Sequence, residues 1–326
     1  MEPRFDVITF GECMLRCSPW PGQMLEQTDQ FRIDPAGTES NMAVALARLG
    51  VRVSWFSALP DNPLGHWIAH RMETHGVDVS HLIWTDDRVG VFFLEPGSPP
   101  RGSRVVYDRA HSGASRMTPA VMDWGALSNA QIVHTSGITA ALSPTCHSLV
   151  LRAMQEAKAL GCLTSFDINF RSKLWMPEQA AHALAPILDH VDILISTESD
   201  IRLLFKLEGE VENLISHLVK RFGNTTVVLT LAEGGAVGWS EQTGWLRTTA
   251  HVVEQVDRLG AGDAFDAGLL YGLLQNDLSF GLACGAGLAA LAYSEQGDVT
   301  WSTPRELLQL IGEKGFTFRS ESQISV

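Results

Sequence analysis

The feature that most restricts the fold is an alternation, in the second half of the chain, of short apolar or β-branched runs with helix-length segments. Residues 131–135 read as a strand. They lead into a helix signalled at both ends, with Ser143 as N-cap, Pro144 at the first helical position and Gly161 just past the last turn. Strands at 162–168, 191–196 and 225–231 follow, separated by helical segments such as 211–222. Earlier, 41–49 reads as a helix closed by Gly50, and 51–58 as the next strand. Strand–helix–strand order at this spacing predicts an α/β fold with a mostly parallel sheet covered by helices on both faces. Two segments depart from the pattern. About 14–35 and 89–109 carry Pro and Gly turns between short alternating runs, which predicts a small appended β-sheet, serving either as a lid or as ordinary surface hairpins.

Composition narrows the function. With 326 residues, 45% of them hydrophobic and 19% charged, the chain has material for one large domain over 1–326 and is not a disordered polymer. A formal charge of −13 without any Lys/Arg block argues against a nucleic-acid partner, whereas a small phosphate ligand needs only local backbone N–H groups. The five cysteines (Cys13, Cys17, Cys146, Cys162, Cys284) contain no C-x-x-C pair, so buried thiols are expected rather than disulfides or zinc. The first residues lack a signal-peptide pattern and no stretch suits a membrane span; a soluble, cytoplasmic protein with no membrane partner is expected.

The most informative stretch is Asp257-Arg258-Leu259-Gly260-Ala261-Gly262-Asp263-Ala264-Phe265, running into the apolar helical pattern 266–274. A glycine-rich turn that opens a helix points the N–H groups of Gly260, Ala261 and Gly262 at one spot, with the positive end of the helix dipole behind them: an anion hole. Asp263, beside it, is either a helix cap or a base next to a transferring phosphate. Three successive predicted strands end in polar residues: Asp167, Asn169 and Arg171; Thr197 and Glu198; Thr230 and Glu233. In a parallel sheet those ends share the edge where α/β folds bind ligands. The alternate spacing of Asp167, Asn169 and Arg171 would set all three on one side of an extended chain. No G-x-x-x-x-G-K-[ST], G-x-G-x-x-G after the first strand, H-E-x-x-H or G-x-S-x-G occurs. His111 and His134 lie in no motif.

These segments resemble the ribokinase-like (PfkB-type) carbohydrate kinases, and among them the 2-keto-3-deoxygluconate kinases. The resemblance rests on GTESN at Gly37–Asn41 before a helix ending ARLG, DINFRSKLW at 167–175, Thr197–Glu198, TLAEGGA at 230–236 and DRLGAGDAF at 257–265, and it runs from about residue 6 to 300. It implies a ribokinase-like, Rossmann-type three-layer sandwich with a β lid, and ATP with Mg2+ as cofactors. It further implies Asp263 as general base, with Gly260, Ala261 and Gly262 stabilising the transition state. Gly37, Asn41, Phe92 and Tyr107 would touch the substrate, Arg109 and Arg171 would grip its carboxylate, and Asn169, Thr197, Glu198, Thr230 and Gly235 would lie along ATP and the metal, with Glu198 acting on the metal indirectly. The chain departs from the family at Ala36 and Ala232, where glycine is usual, and at Phe92, where Tyr is common. Asp108 adds a negative charge between Tyr107 and Arg109.

The expected activity is ATP-dependent phosphorylation of a hydroxyl of a small sugar acid, by a homo-oligomeric enzyme. A kinase for a neutral sugar such as fructose, ribose or a nucleoside would leave Arg109 and Arg171 as structural ion-pair partners. A non-catalytic nucleotide or sugar sensor would keep the fold without the turnover. A dehydrogenase is disfavoured by the missing dinucleotide fingerprint.

Overall fold

The computed structural model describes residues 4–97, 100–257 and 259–312. Arg258 of the glycine-rich segment and residues 98–99 of the second turn-rich segment lie outside the described residues. In chain order the strands are Phe5–Phe10 (β1), Met14–Ser18 (β2), Arg32–Ala36 (β3), Val53–Phe56 (β4), Ala58–Pro60 (β5), Ile83–Thr85 (β6) and Val91–Glu95 (β7). They continue with Arg104–Asp108 (β8), Ala130–Ser136 (β9), Leu163–Asp167 (β10), Ile193–Thr197 (β11), Thr226–Thr230 (β12), Ala236–Ser240 (β13) and Gly244–Thr248 (β14).

The large sheet has the order β14-β13-β12-β11-β10-β9-β1-β4. From β4 to β12 every pairing is parallel; β13 and β14 finish the sheet antiparallel. Neighbouring residues on each parallel strand go to opposite faces. Ile8, Val133, Leu194, Val227 and Leu229 pack with the helices Pro144–Ala159, Pro177–Leu188 and Val211–Phe222. Val7, Ile132, Ile193, Ile195 and Val228 pack with Thr38–Arg48, Ala261–Leu273 and Leu278–Tyr293. Both faces are buried, which is why these strands read as continuous apolar runs and why the protein is a three-layer sandwich.

The two turn-rich segments form a separate four-stranded sheet, β3-β2-β7-β8. Its inner face presents Met14, Ala36, Phe92 and Leu94, packed with Val105 and with Leu259 of the body. The helix with both ends signalled spans Pro144–Ala159, and Ser143 Oγ accepts the Cys146 N–H at 3.1 Å. All five cysteines are buried and free.

Three boundaries differ from the sequence expectation. The helix expected from Asn41 begins at Thr38, because the polar Thr38-Glu39-Ser40 forms a first turn that an apolar pattern does not reveal. Likewise the glycine-rich segment is itself the first turn of Ala261–Leu273. The run 51–58 breaks into β4 and β5, and β5 leaves the large sheet to pair with β6. Among the described residues no helix is long and apolar enough to cross a membrane.

Candidate active site

The carboxyl ends of β10, β11 and β12 lie side by side, in register at Asp167 with Ile195 and at Thr197 with Thr230. Between that edge and the inner face of the small sheet is a cavity of about 1130 Å3. It is lined by Gly37, Asn41, Phe92, Tyr107, Arg109, Asn169, Arg171, Thr197, Thr230, Gly260, Gly262 and Asp263, so the sequence candidates from six separate stretches meet in one place. Ala261, Glu198 and Gly235 are not among the lining residues.

Asp263 is the third residue of its helix and is fixed from two sides. Asn41 Nδ2 donates to its Oδ2 at 2.7 Å, and Thr38 Oγ1 donates to its Oδ1. Asn169 Nδ2 in turn donates to Thr38 Oγ1 at 3.2 Å. Burial raises the Asp263 pKa above the ordinary carboxylate value, against the opposing effect of Thr38, Asn41 and the Arg171 charge. Its carboxylate is therefore more basic than an exposed one and is held in a single orientation.

The turn before it is a tight, left-handed one at the start of the helix. Gly260 is the N-cap at φ 81°, a left-handed conformation, and an added Cβ would stand 2.0 Å from the Asp298 carbonyl oxygen, so only glycine fits. The first intrahelical bond runs from Ala264 N–H to Gly260 C=O at 2.8 Å. The N–H groups of Ala261 and Gly262 precede it and have no intrahelical partner. Gly37, facing this turn, caps the Thr38–Arg48 helix, and a Cβ there would meet the Glu12 carbonyl oxygen at 2.0 Å.

The two arginines differ. Arg109 Nε and Nη2 both donate to Oε2 of Glu12, a carboxylate only 3% exposed whose Oε1 accepts from Ser112. Arg171 lines the cavity, makes no ion pair among the described residues, and its charge opposes the upward shifts of Asp167, Asp200 and Asp263. Tyr107 lies between Arg109 at 5.6 Å and Lys173 at 5.3 Å from its ring centre, and 5.7 Å from the Phe92 ring. Lys173 Nζ also donates to the Val105 carbonyl of β8 at 2.7 Å, joining the body to the small sheet. Asp108 points elsewhere: Arg88 holds both its carboxylate oxygens, at 2.6 and 2.7 Å, so the negative charge expected beside the substrate is neutralised outside the cavity.

Two further expectations are corrected. Glu198 turns away from the cavity, its Oε1 accepting from Arg202 Nε at 3.0 Å and Nη2 at 2.6 Å. Asp200 lines the cavity instead, with its pKa raised by burial. The signal was present: Thr197 Oγ1 accepts the Asp200 N–H at 3.0 Å, and an N-cap threonine places the residue three positions on over the helix end. Asp167, Asn169 and Arg171 do converge, although not by strand alternation. β10 ends at Asp167, and Asn169 at φ 39° bends the chain over the cavity. Asp266 was not anticipated either. It is 4% exposed and lines the cavity with Asp167; burial, then the charges of Asp167 and Asp263, raise its pKa, and burial, then the charges of Asp200 and Asp263, raise that of Asp167 to about 7.

The profile of the pfkB family carbohydrate kinases matches residues 4–305. The chain belongs to that family. The kinase is 37% identical over 308 residues to a 2-dehydro-3-deoxygalactonokinase of Haloferax volcanii, covering 94% of this chain and 96% of the relative. It is 32% identical over 313 residues to a 2-dehydro-3-deoxygluconokinase of Bacillus subtilis, covering 94% of each. The crystal structure of the 2-dehydro-3-deoxygluconokinase of Thermotoga maritima superposes with a TM-score of 0.88 at 32% identity, over 95% of this kinase and 99% of that chain. The ribokinase-like fold expected from the motifs is thus the fold observed, and the protein is a carbohydrate kinase.

Proposed function

We propose that the kinase transfers the γ-phosphoryl group of ATP to a hydroxyl of a 2-dehydro-3-deoxy sugar acid, with Asp263 as the base. The observation that carries this reading is a carboxylate oriented by Thr38 and Asn41 and raised in pKa by burial, set beside the left-handed Gly260 turn at the start of its own helix, which supports an anion hole there. Asp263 takes the proton of the acceptor hydroxyl as its oxygen bonds to phosphorus and the bond to the ADP oxygen breaks. The N–H groups at the Gly260–Gly262 turn receive the charge that develops on the phosphoryl oxygens.

The cavity has room for two substrates, and the small sheet lies over it as a lid. Thr197 and Thr230 at the sheet edge, with Asn169, border the nucleotide side, while Gly37, Asn41, Phe92 and Tyr107 border the sugar side. Arg171 supports a substrate carboxylate, as do the names of the relatives. Arg109, engaged by Glu12, has one guanidinium arm left for the same task. Mg2+ fits as a partner of the phosphates rather than of a protein cage. Among the described residues no group of three His, Cys, Asp or Glu side chains is arranged to hold a metal, and Mg2+ usually keeps its waters with one or two carboxylates, here Asp200 and Asp167. Such an ion would supply charge neutralisation to the phosphates.

Asp263→Ala is expected to lower turnover by at least ~10²-fold while ATP binding persists. The check is ADP release with 2-dehydro-3-deoxygalactonate, 2-dehydro-3-deoxygluconate, fructose, ribose and adenosine. Turnover of the neutral acceptors in preference to the acids would reject the sugar-acid reading, and full activity of the variant would reject the base.

A further inference from the structure

Arg16 belongs to β2 of the small sheet, yet its guanidinium is turned into the body and is 1% exposed. A fully buried arginine needs partners for its whole fork. Here Nε donates to Ser18 Oγ at 3.0 Å, Nη2 to Asp257 Oδ2 at 2.6 Å, and Nη1 to Asp298 Oδ1. The two carboxylates come from the two chain segments that wall the Gly260–Gly262 turn. Asp257 stands three residues before Gly260; its Oδ1 accepts the Leu259 N–H and its Oδ2 the Gly297 N–H, both at 3.2 Å. Asp298 contributes the carbonyl oxygen against which Gly260 is packed. The turn is thus wedged between segments that a single guanidinium clamps together.

The charge matters as much as the shape. The charges of Asp257 and Asp263 bear on buried Asp298, and Arg16 is a cation placed between Asp257 and Asp298. Without it buried Asp298 and half-buried Asp257 would be left without this guanidinium beside the place where a phosphoryl group gains negative charge. Arg16 does not itself line the cavity, whereas Asp298, Gly260 and Gly262 do, so it acts on the chemistry through the groups it holds.

We propose that Arg16 is a positioning residue for phosphoryl transfer: from the lid sheet, its clamp on Asp257 and Asp298 holds the Gly260–Gly262 turn where its N–H groups meet the transferring group. This rests on reading that turn as the anion hole. Removing the clamp lets the turn relax, which costs rate rather than substrate affinity.

The test compares full-length Arg16→Ala, Arg16→Lys, Asp257→Asn and Asp263→Ala, using whichever sugar acid the wild type phosphorylates. Arg16→Ala is expected to lose about 10²-fold in kcat, as for a small misplacement of catalytic groups, with KM for both substrates nearly unchanged. Arg16→Lys should recover part of the rate. Added millimolar guanidinium should raise kcat of Arg16→Ala but not of Asp263→Ala. A folded Arg16→Ala with wild-type kcat, a loss confined to KM, or no response to guanidinium overturns the proposal. If Arg16→Ala does not fold, Asp257→Asn, which keeps volume and deletes one charged anchor, carries the test: reduced kcat at unchanged KM supports it and wild-type kcat overturns it. Full activity of Asp263→Ala would instead indict the reading of the site, whatever the Arg16 variants do.

Discussion

Asp263 shows how far single residues were legible. Its motif identifies it as the candidate base, but its two anchors, Thr38 and Asn41, lie 225 and 222 positions away, and no local pattern pairs them with it. Only Asn41 was suspected, as a substrate contact. Arg109 carries the same lesson in the other direction: the sequence offers two guanidinium groups, and only the fold shows that buried Glu12 occupies one of them. Substitution of Arg171 therefore tests substrate charge more cleanly. Arg171→Gln should raise KM for the sugar acid by about 10- to 100-fold, the worth of a charge-assisted hydrogen bond, and leave any neutral acceptor little affected. Equal losses for acid and neutral acceptors would assign Arg171 to the fold instead.

At the scale of elements, apolar runs located the strands within a residue or two because the parallel sheet is buried on both faces. The hydrophobic period does not reach the first turns of the Thr38–Arg48 and Ala261–Leu273 helices, whose N-caps Gly37 and Gly260 carry no capping side chain. The turn after β12 explains one family departure. Ala232 adopts φ 50°, the left-handed region where a Cβ costs about 1–2 kcal/mol, so glycine is the usual choice there. Ala232→Gly should therefore stabilise the kinase by about 1 kcal/mol, less the extra freedom glycine gives the unfolded chain. Urea unfolding at constant slope would show it; an unchanged or lower midpoint would mean that neighbouring contacts already absorb the strain.

For the whole molecule, buried ionisable groups set the pH response. Glu39 accepts from Ser136 N–H at 3.1 Å and from Ser136 and Thr139 hydroxyls at 2.7 Å, yet burial holds its pKa at about 7, as for Asp167. Between the unfolded carboxylate range and 7 the native state holds more protons than the unfolded chain, so these groups add stability as pH falls through 7. His75 and His134, lowered by burial to about 4 and about 3, act oppositely below 6.5, where only the unfolded chain protonates them. Melting temperature should rise from about pH 8 to about 6.5 and then stop rising; a steady increase from acid to alkaline buffer would refute this. The long reach of the clamp has one more consequence. Arg16 meets Asp298 across 282 positions of chain, and Asp263 meets Thr38 across 225. During synthesis from the amino end, the side chains of Arg16 and Thr38 wait for Asp298 and Asp263 until nearly the last helix has emerged, so the ability to move phosphate arrives late and all at once, and no partly made chain holds a working fraction of it.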